Sequence, residues 1–80
     1  RDVESLTELQ LNFIVALADG METGLTKNEV IRKYHLQTSA NVQGIKKSLM
    51  SKEFIDTDGE RIYISDPIFK LWIKNTISVR

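Results

Sequence analysis

His35 is the one histidine of this 80-residue chain, and an imidazole is the side chain most readily used as a base or a metal ligand. Here it stands alone. Glu29, the nearest acid before it, lies six residues upstream and off its helical face, and the chain has no cysteine. Ser39, Ser48 and Ser51 have no base at a spacing that would activate a hydroxyl. Asp56-Thr57-Asp58-Gly59 opens like a calcium loop but lacks the later ligands, and the four glycines form no phosphate-cradling loop. The expectation is a chain with no catalytic residue, no cofactor-binding residue and no metal ligand.

Recognition chemistry is better represented. Asn41, Gln43, Lys46 and Lys47 fall on one stretch, and Arg61 follows shortly after. A glutamine amide can pair with adenine, and lysines can neutralise phosphates, so these five are candidate nucleic-acid contacts. Ala40, Gly44 and Ser51 in the same stretch are small enough for another backbone to approach, so the five serve equally as candidate contacts to a protein partner. Charge placement separates the two readings. Net charge is zero, yet residues 27–53 hold six bases against two acids, while residues 1–26 hold one base against five acids. Around Arg61 stand Asp56, Asp58 and Glu60, carboxylates that repel a polyanion, and no arginine lies in the preceding stretch to read guanine. Protein contact is the favoured expectation, with DNA binding as the alternative and homodimerisation a third use.

The elements that position these residues are announced locally. Thr7 with Gln10 makes a capping box, and Leu6 with Leu11 a hydrophobic staple, opening a helix from Glu8 to about Asp19 with Gly20 beyond its end. Leu11, Ile14, Val15 and Ala18 form one apolar strip, and Leu9, Phe13, Ala16 and Leu17 a second, so this helix is expected to be covered on both sides. Thr26 and Glu29 predict the cap of a second helix ending near Tyr34, with Leu25 stapled to Val30. A third helix runs from Thr38 or Ser39 to about Lys52, with Val42, Ile45 and Leu49 inward. The period then changes. Residues 54–64 read as a hairpin turning on Asp58-Gly59, the pair suited to two positive φ angles. Asp66-Pro67 starts a last helix that is expected to bury Ile68, Phe69, Leu71, Trp72 and Ile73 and to cover the second strip, with Arg80 at its basic end; a docking surface for a neighbouring domain at Ile68, Phe69 and Trp72 is the alternative. The fold class is mainly α with a small β-hairpin: a winged helix-turn-helix in the order helix, helix, helix, hairpin, helix.

The longest apolar run, Phe13–Ala18, is too short to span a membrane, and no basic leader with an apolar stretch opens the chain. A cytoplasmic domain is the expectation.

Four stretches carry a resemblance. They are Leu6-Thr7-Glu8-Leu9-Gln10, Ser39-Ala40-Asn41-Val42-Gln43, Lys52-Glu53-Phe54-Ile55 and, most specific, Asp66-Pro67-Ile68-Phe69-Lys70-Leu71-Trp72-Ile73. Through them the chain, from about Leu6 to Lys74, resembles the C-terminal winged-helix region that follows the ATPase domain in a group of prokaryotic AAA/STAND-type ATP-binding proteins. The resemblance implies that residues 1–80 are a single domain excised from a larger ATPase, an implication that the start at Arg1 suits. It implies an upstream P-loop binding ATP and Mg in the parent protein, with no ATP-contacting position in these residues. It also implies an accessory role, with the ATPase domain or another protein as partner.

Overall fold

A computed structural model describes residues 5–76. Helix α1 (Glu8–Ala18) begins where expected: the Thr7 hydroxyl accepts from Gln10 N–H, and the Gln10 side chain accepts from Thr7 N–H. It ends at Asp19 in a Schellman arrangement, with Gly20 N–H donating to Leu17 O and Met21 N–H to Ala16 O, each at 3.0 Å. Gly20 takes φ 101°, a conformation open to glycine without a Cβ penalty.

Helix α2 (Asn28–Tyr34) starts one residue later than the Thr26 cap predicts. Lys27 is the N-cap and provides no side-chain hydrogen bond, because a turn closed by Lys27 N–H to Gly24 O (3.1 Å) leaves Thr26 before the helix entry. Leu25 and Val30 are both buried, as a staple requires. Helix α3 (Ser39–Ser51) is capped by Thr38, whose hydroxyl accepts from Asn41 N–H. Between α2 and α3 the chain turns within four residues, His35 and Gln37 both taking positive φ while Leu36 is fully buried as an anchor.

Strands β1 (Ile55–Asp58) and β2 (Arg61–Ile64) form an antiparallel pair with Ile55 opposite Ile64 and Asp58 opposite Arg61. The turn departs from expectation. Its central residues are Gly59 and Glu60, not Asp58 and Gly59, and of these only Gly59 has positive φ. That is the pattern of a II′ turn, with glycine first, in place of the I′ turn that Asp-Gly suggests. Helix α4 (Pro67–Thr76) is opened by the Asp66 carboxylate, which accepts from Ile68 N–H at 2.9 Å. Arg80 lies outside the described residues, as do residues 1–4.

Helix α1 is the central element. It packs against α2, α3, α4 and β2, and every residue from Phe13 to Ala18 is buried. Two apolar strips on one helix demand cover on two sides, and α4 supplies the second cover through Ile73, which is fully buried, and Phe69. The same helix holds the main correction. Ile68, Leu71 and Trp72, expected in the core, are 78%, 58% and 44% exposed. Five large apolar residues within six positions encircle most of a helix, and only one side can meet α1. Phe69 and Ile73 take that side.

Candidate functional site

The third helix and the hairpin beside it carry all five candidate contacts. Gln43 and Lys47 are exposed on the outer side of α3, while Asn41 and Lys46 are half-buried at its edges. The Asn41 amide donates to Gln37 Oε1 at 2.6 Å, so it also serves to close the α2–α3 turn. Lys46 and Gln43 line a groove of about 420 Å3 between α3 and the hairpin, whose other wall includes Gly59, Glu60 and Ile62. A single lysine therefore faces a glutamate across this groove.

Arg61, on the hairpin, is engaged elsewhere. Its Nε donates to Glu22 Oε1 at 2.7 Å and its Nη2 to Glu22 Oε2 at 3.3 Å, a two-pronged carboxylate contact from the linker between α1 and α2. The guanidinium also sits 4.6 Å from the Tyr63 ring centroid, since alternate strand residues share a face. Ile62 N–H donates to Glu22 O at 2.8 Å, tying the hairpin backbone to the same residue. The hydrogen bond from Arg61 holds the Glu22 carboxyl below its ordinary range, against a smaller opposing effect of desolvation; the charges of Arg61 and Lys70 add to the lowering. Asp56, Asp58 and Glu60 remain exposed on the hairpin. Arg61 is thus separated functionally from Lys46 and Lys47, a pairing no local spacing announces.

His35 forms the C-cap of α2, and its backbone carbonyl accepts from Asn12 Nδ2 at 3.3 Å. It lines a hollow of about 400 Å3 with Glu8, Asp19, Lys33 and Tyr34, a juxtaposition of α1 and α2 that the sequence did not indicate. The hydroxyl there is poorly disposed for base or nucleophile work. Tyr34 donates to Asp19 Oδ2 at 3.0 Å, and burial, with that hydrogen bond and the Asp19 charge, pushes its pKa up. Ser48 is likewise committed to structure, accepting from Gln10 Nε2 at 2.8 Å. Among the described residues, no three His, Asp or Glu side chains come together in a way that could hold a metal ion. Nor is any described helix long and apolar enough to cross a membrane.

A family model described as "Probable winged helix domain" matches residues 2–75 of the chain. The chain belongs to this family. No curated protein and no solved structure matches it. Winged-helix domains are generally DNA- or protein-interaction modules. In this winged-helix domain the hairpin is the wing, and α3 occupies the place of the recognition helix.

A further surface lies away from α3 and the wing. The outward side of α4 presents Ile68, Leu71 and Trp72 together. Trp72 stacks on Phe69 at a centroid separation of 6.1 Å and 16° between planes, and Phe69 in turn meets the buried Phe54 at 5.4 Å. The exposed indole is thereby the outer end of an aromatic series that reaches the core. Helical spacing favoured the interior for all these side chains, and the alternative, a docking surface at Ile68, Phe69 and Trp72, named two of the three residues that stand exposed. The available signal was the excess of apolar residues over what one buried side can hold.

Proposed function

We infer that this winged-helix domain is a non-catalytic accessory module of a larger AAA-type ATPase, and that it contacts the ATPase domain or another protein partner in preference to DNA. The observation that carries the reading is the outer side of α4, where three large apolar side chains stand exposed on one helix. Single exposed apolar residues are ordinary, whereas a contiguous group of this kind is characteristic of a protein-binding surface. The wing supports the same reading: its carboxylates face solvent and its one guanidinium is held by Glu22. Phosphate affinity needs several free, well-placed cations, and α3 contributes only Lys46 and Lys47.

The parentage rests on the four resembling stretches, above all Asp66–Ile73. In that reading ATP and Mg belong to a P-loop domain upstream, this domain supplies neither a catalytic group nor a cofactor ligand, and the protein works in the cytoplasm. The reading frame that encodes the domain tests it: a P-loop upstream is expected, and a frame holding only this domain overturns the parentage.

The choice of protein over DNA is tested by titrating a labelled DNA duplex at two salt concentrations. Weak binding, unchanged by Lys46→Ala/Lys47→Ala, is expected. Micromolar or tighter affinity that falls steeply with salt and is lost in the double variant overturns the choice.

A further inference from the structure

We propose that the outer side of α4 receives a single partner helix, about three turns long, whose apolar stripe is bordered by carboxylates. This rests on protein contact as the domain's function and adds the partner's chemistry. Leu71 and Trp72 follow Ile68 by three and four residues, the spacing that brings side chains together on one helix face, and all three are exposed. An apolar stripe of that kind is what a neighbouring helix covers. Trp72 is its anchor. Its ring stacks on Phe69, which meets the buried Phe54, so the indole is held in place before a partner arrives and loses little freedom on binding.

Charge names the rest of the partner. From Pro67 to Arg80 the chain holds three bases and no acid. Lys70 and Lys74 stand four residues apart and repel each other along one edge of α4, and Lys74, three residues after Leu71, borders the apolar stripe. Glu22 acts on Lys70 from the α1–α2 linker, but its carboxylate is already engaged by Arg61 at 2.7 and 3.3 Å. Carboxylates on a partner helix therefore meet this edge favourably, and cations do not. The same edge disfavours a second copy of the chain, because a twofold contact of α4 on α4 brings lysines toward lysines. Area disfavours it too: a ten-residue helix is about 15 Å long, and its one open side falls well short of the roughly 800 Å2 per partner of a stable interface. An anionic bilayer offers the right charge, yet a domain of zero net charge gains little from it as a whole.

The test uses two labelled synthetic helices of about 14 residues with the same leucine stripe, one bordered by glutamates and the other by lysines, each titrated with the 80-residue chain. The chain's one tryptophan lies in the site, so its emission reports contact directly. The glutamate helix is expected to bind at least about fivefold tighter than the lysine helix and to shift Trp72 emission to shorter wavelength. Lys70→Glu/Lys74→Glu is expected to invert that preference. Trp72→Ala is expected to weaken the glutamate helix about thirtyfold and Leu71→Ala about fivefold, the latter with the emission readout intact. Equal affinity for the two helices, or preference for the lysine helix, overturns the acidic partner and leaves protein contact standing. Failure of both helices to bind overturns the site. So does a dimer of the domain that Trp72→Ala dissolves, and so does binding to vesicles of phosphatidylcholine and phosphatidylserine that the same variant abolishes. DNA binding through Lys46 and Lys47, with both helices idle, overturns this site and protein contact together.

Discussion

Tyr34 illustrates how a residue suited to chemistry is spent on structure. Its ring is buried against the core, and its hydroxyl reaches Asp19 at the end of α1. Tyr34→Phe leaves the ring and removes that bond, so a loss of about 1 kcal/mol is expected in urea unfolding at pH 7. Because the folded-state pKa is raised, the contribution is fully present below the ordinary tyrosine value near 10 and is lost as pH rises through the folded value. The gap between wild type and Tyr34→Phe is therefore expected to hold through neutral pH and close in strongly alkaline solution. His35 gives an opposite case. It takes φ 57° at the end of α2, where a side chain is strained, and the bond it makes to Asn12 uses its backbone. His35→Gly is expected to raise stability by about 0.5–1 kcal/mol, after the entropic cost of glycine is subtracted, as read from the thermal midpoint. A lower midpoint instead assigns the imidazole a structural contact.

At the scale of elements, Gln10 joins what local rules treat separately. Its Oε1 accepts from Thr7 N–H at 3.0 Å and from Lys52 Nζ at 3.2 Å, while its Nε2 donates to Ser48 at 2.8 Å. One side chain thus caps α1 and fastens it to the far end of α3. Thr7→Ala removes the helix cap alone, at about 1 kcal/mol. Gln10→Ala removes the cap partner and the cross-link together, and about 2 kcal/mol is expected. Chemical denaturation of the two variants separates these roles; equal losses leave the α1–α3 link without energetic weight. The capping box was readable from Thr7 and Gln10 because its partners stand three residues apart. The bonds to Ser48 and Lys52 span 38 and 42 residues and have no local signature.

At the scale of the whole molecule, α4 decides how the domain meets its surroundings. Ile73 is fully buried against the core, whereas Ile68 is largely exposed five residues earlier. Ile73→Ala is expected to cost about 2–5 kcal/mol, and Ile68→Ala no more than about 0.5 kcal/mol. Comparable losses at both positions overturn the orientation of this helix, and with it the exposed surface that supports protein contact. The same contrast extends to recognition: the domain turns carboxylates outward on the wing, an apolar side outward on α4 and a modest cationic side outward on α3. Three surfaces of different character on one small winged helix favour contacts with unlike neighbours over a single extended polyanion.

The order of elements, the caps of α1 and α4 and the two-sided burial of α1 followed from the sequence alone, because each depends on residues within one or two turns of each other. Periodicity could not choose which side of α4 faces inward, since Ile68, Phe69, Leu71, Trp72 and Ile73 leave too little polar surface to mark an outside. That choice waited on α1, which accepts Phe69 and Ile73. The partner of Arg61 was equally hidden: Glu22 lies 39 residues away, in a linker whose path is set by the packing of α1 and α2. Pairing across such separations is decided by which surfaces the folded chain brings together, and only the tertiary structure holds that information.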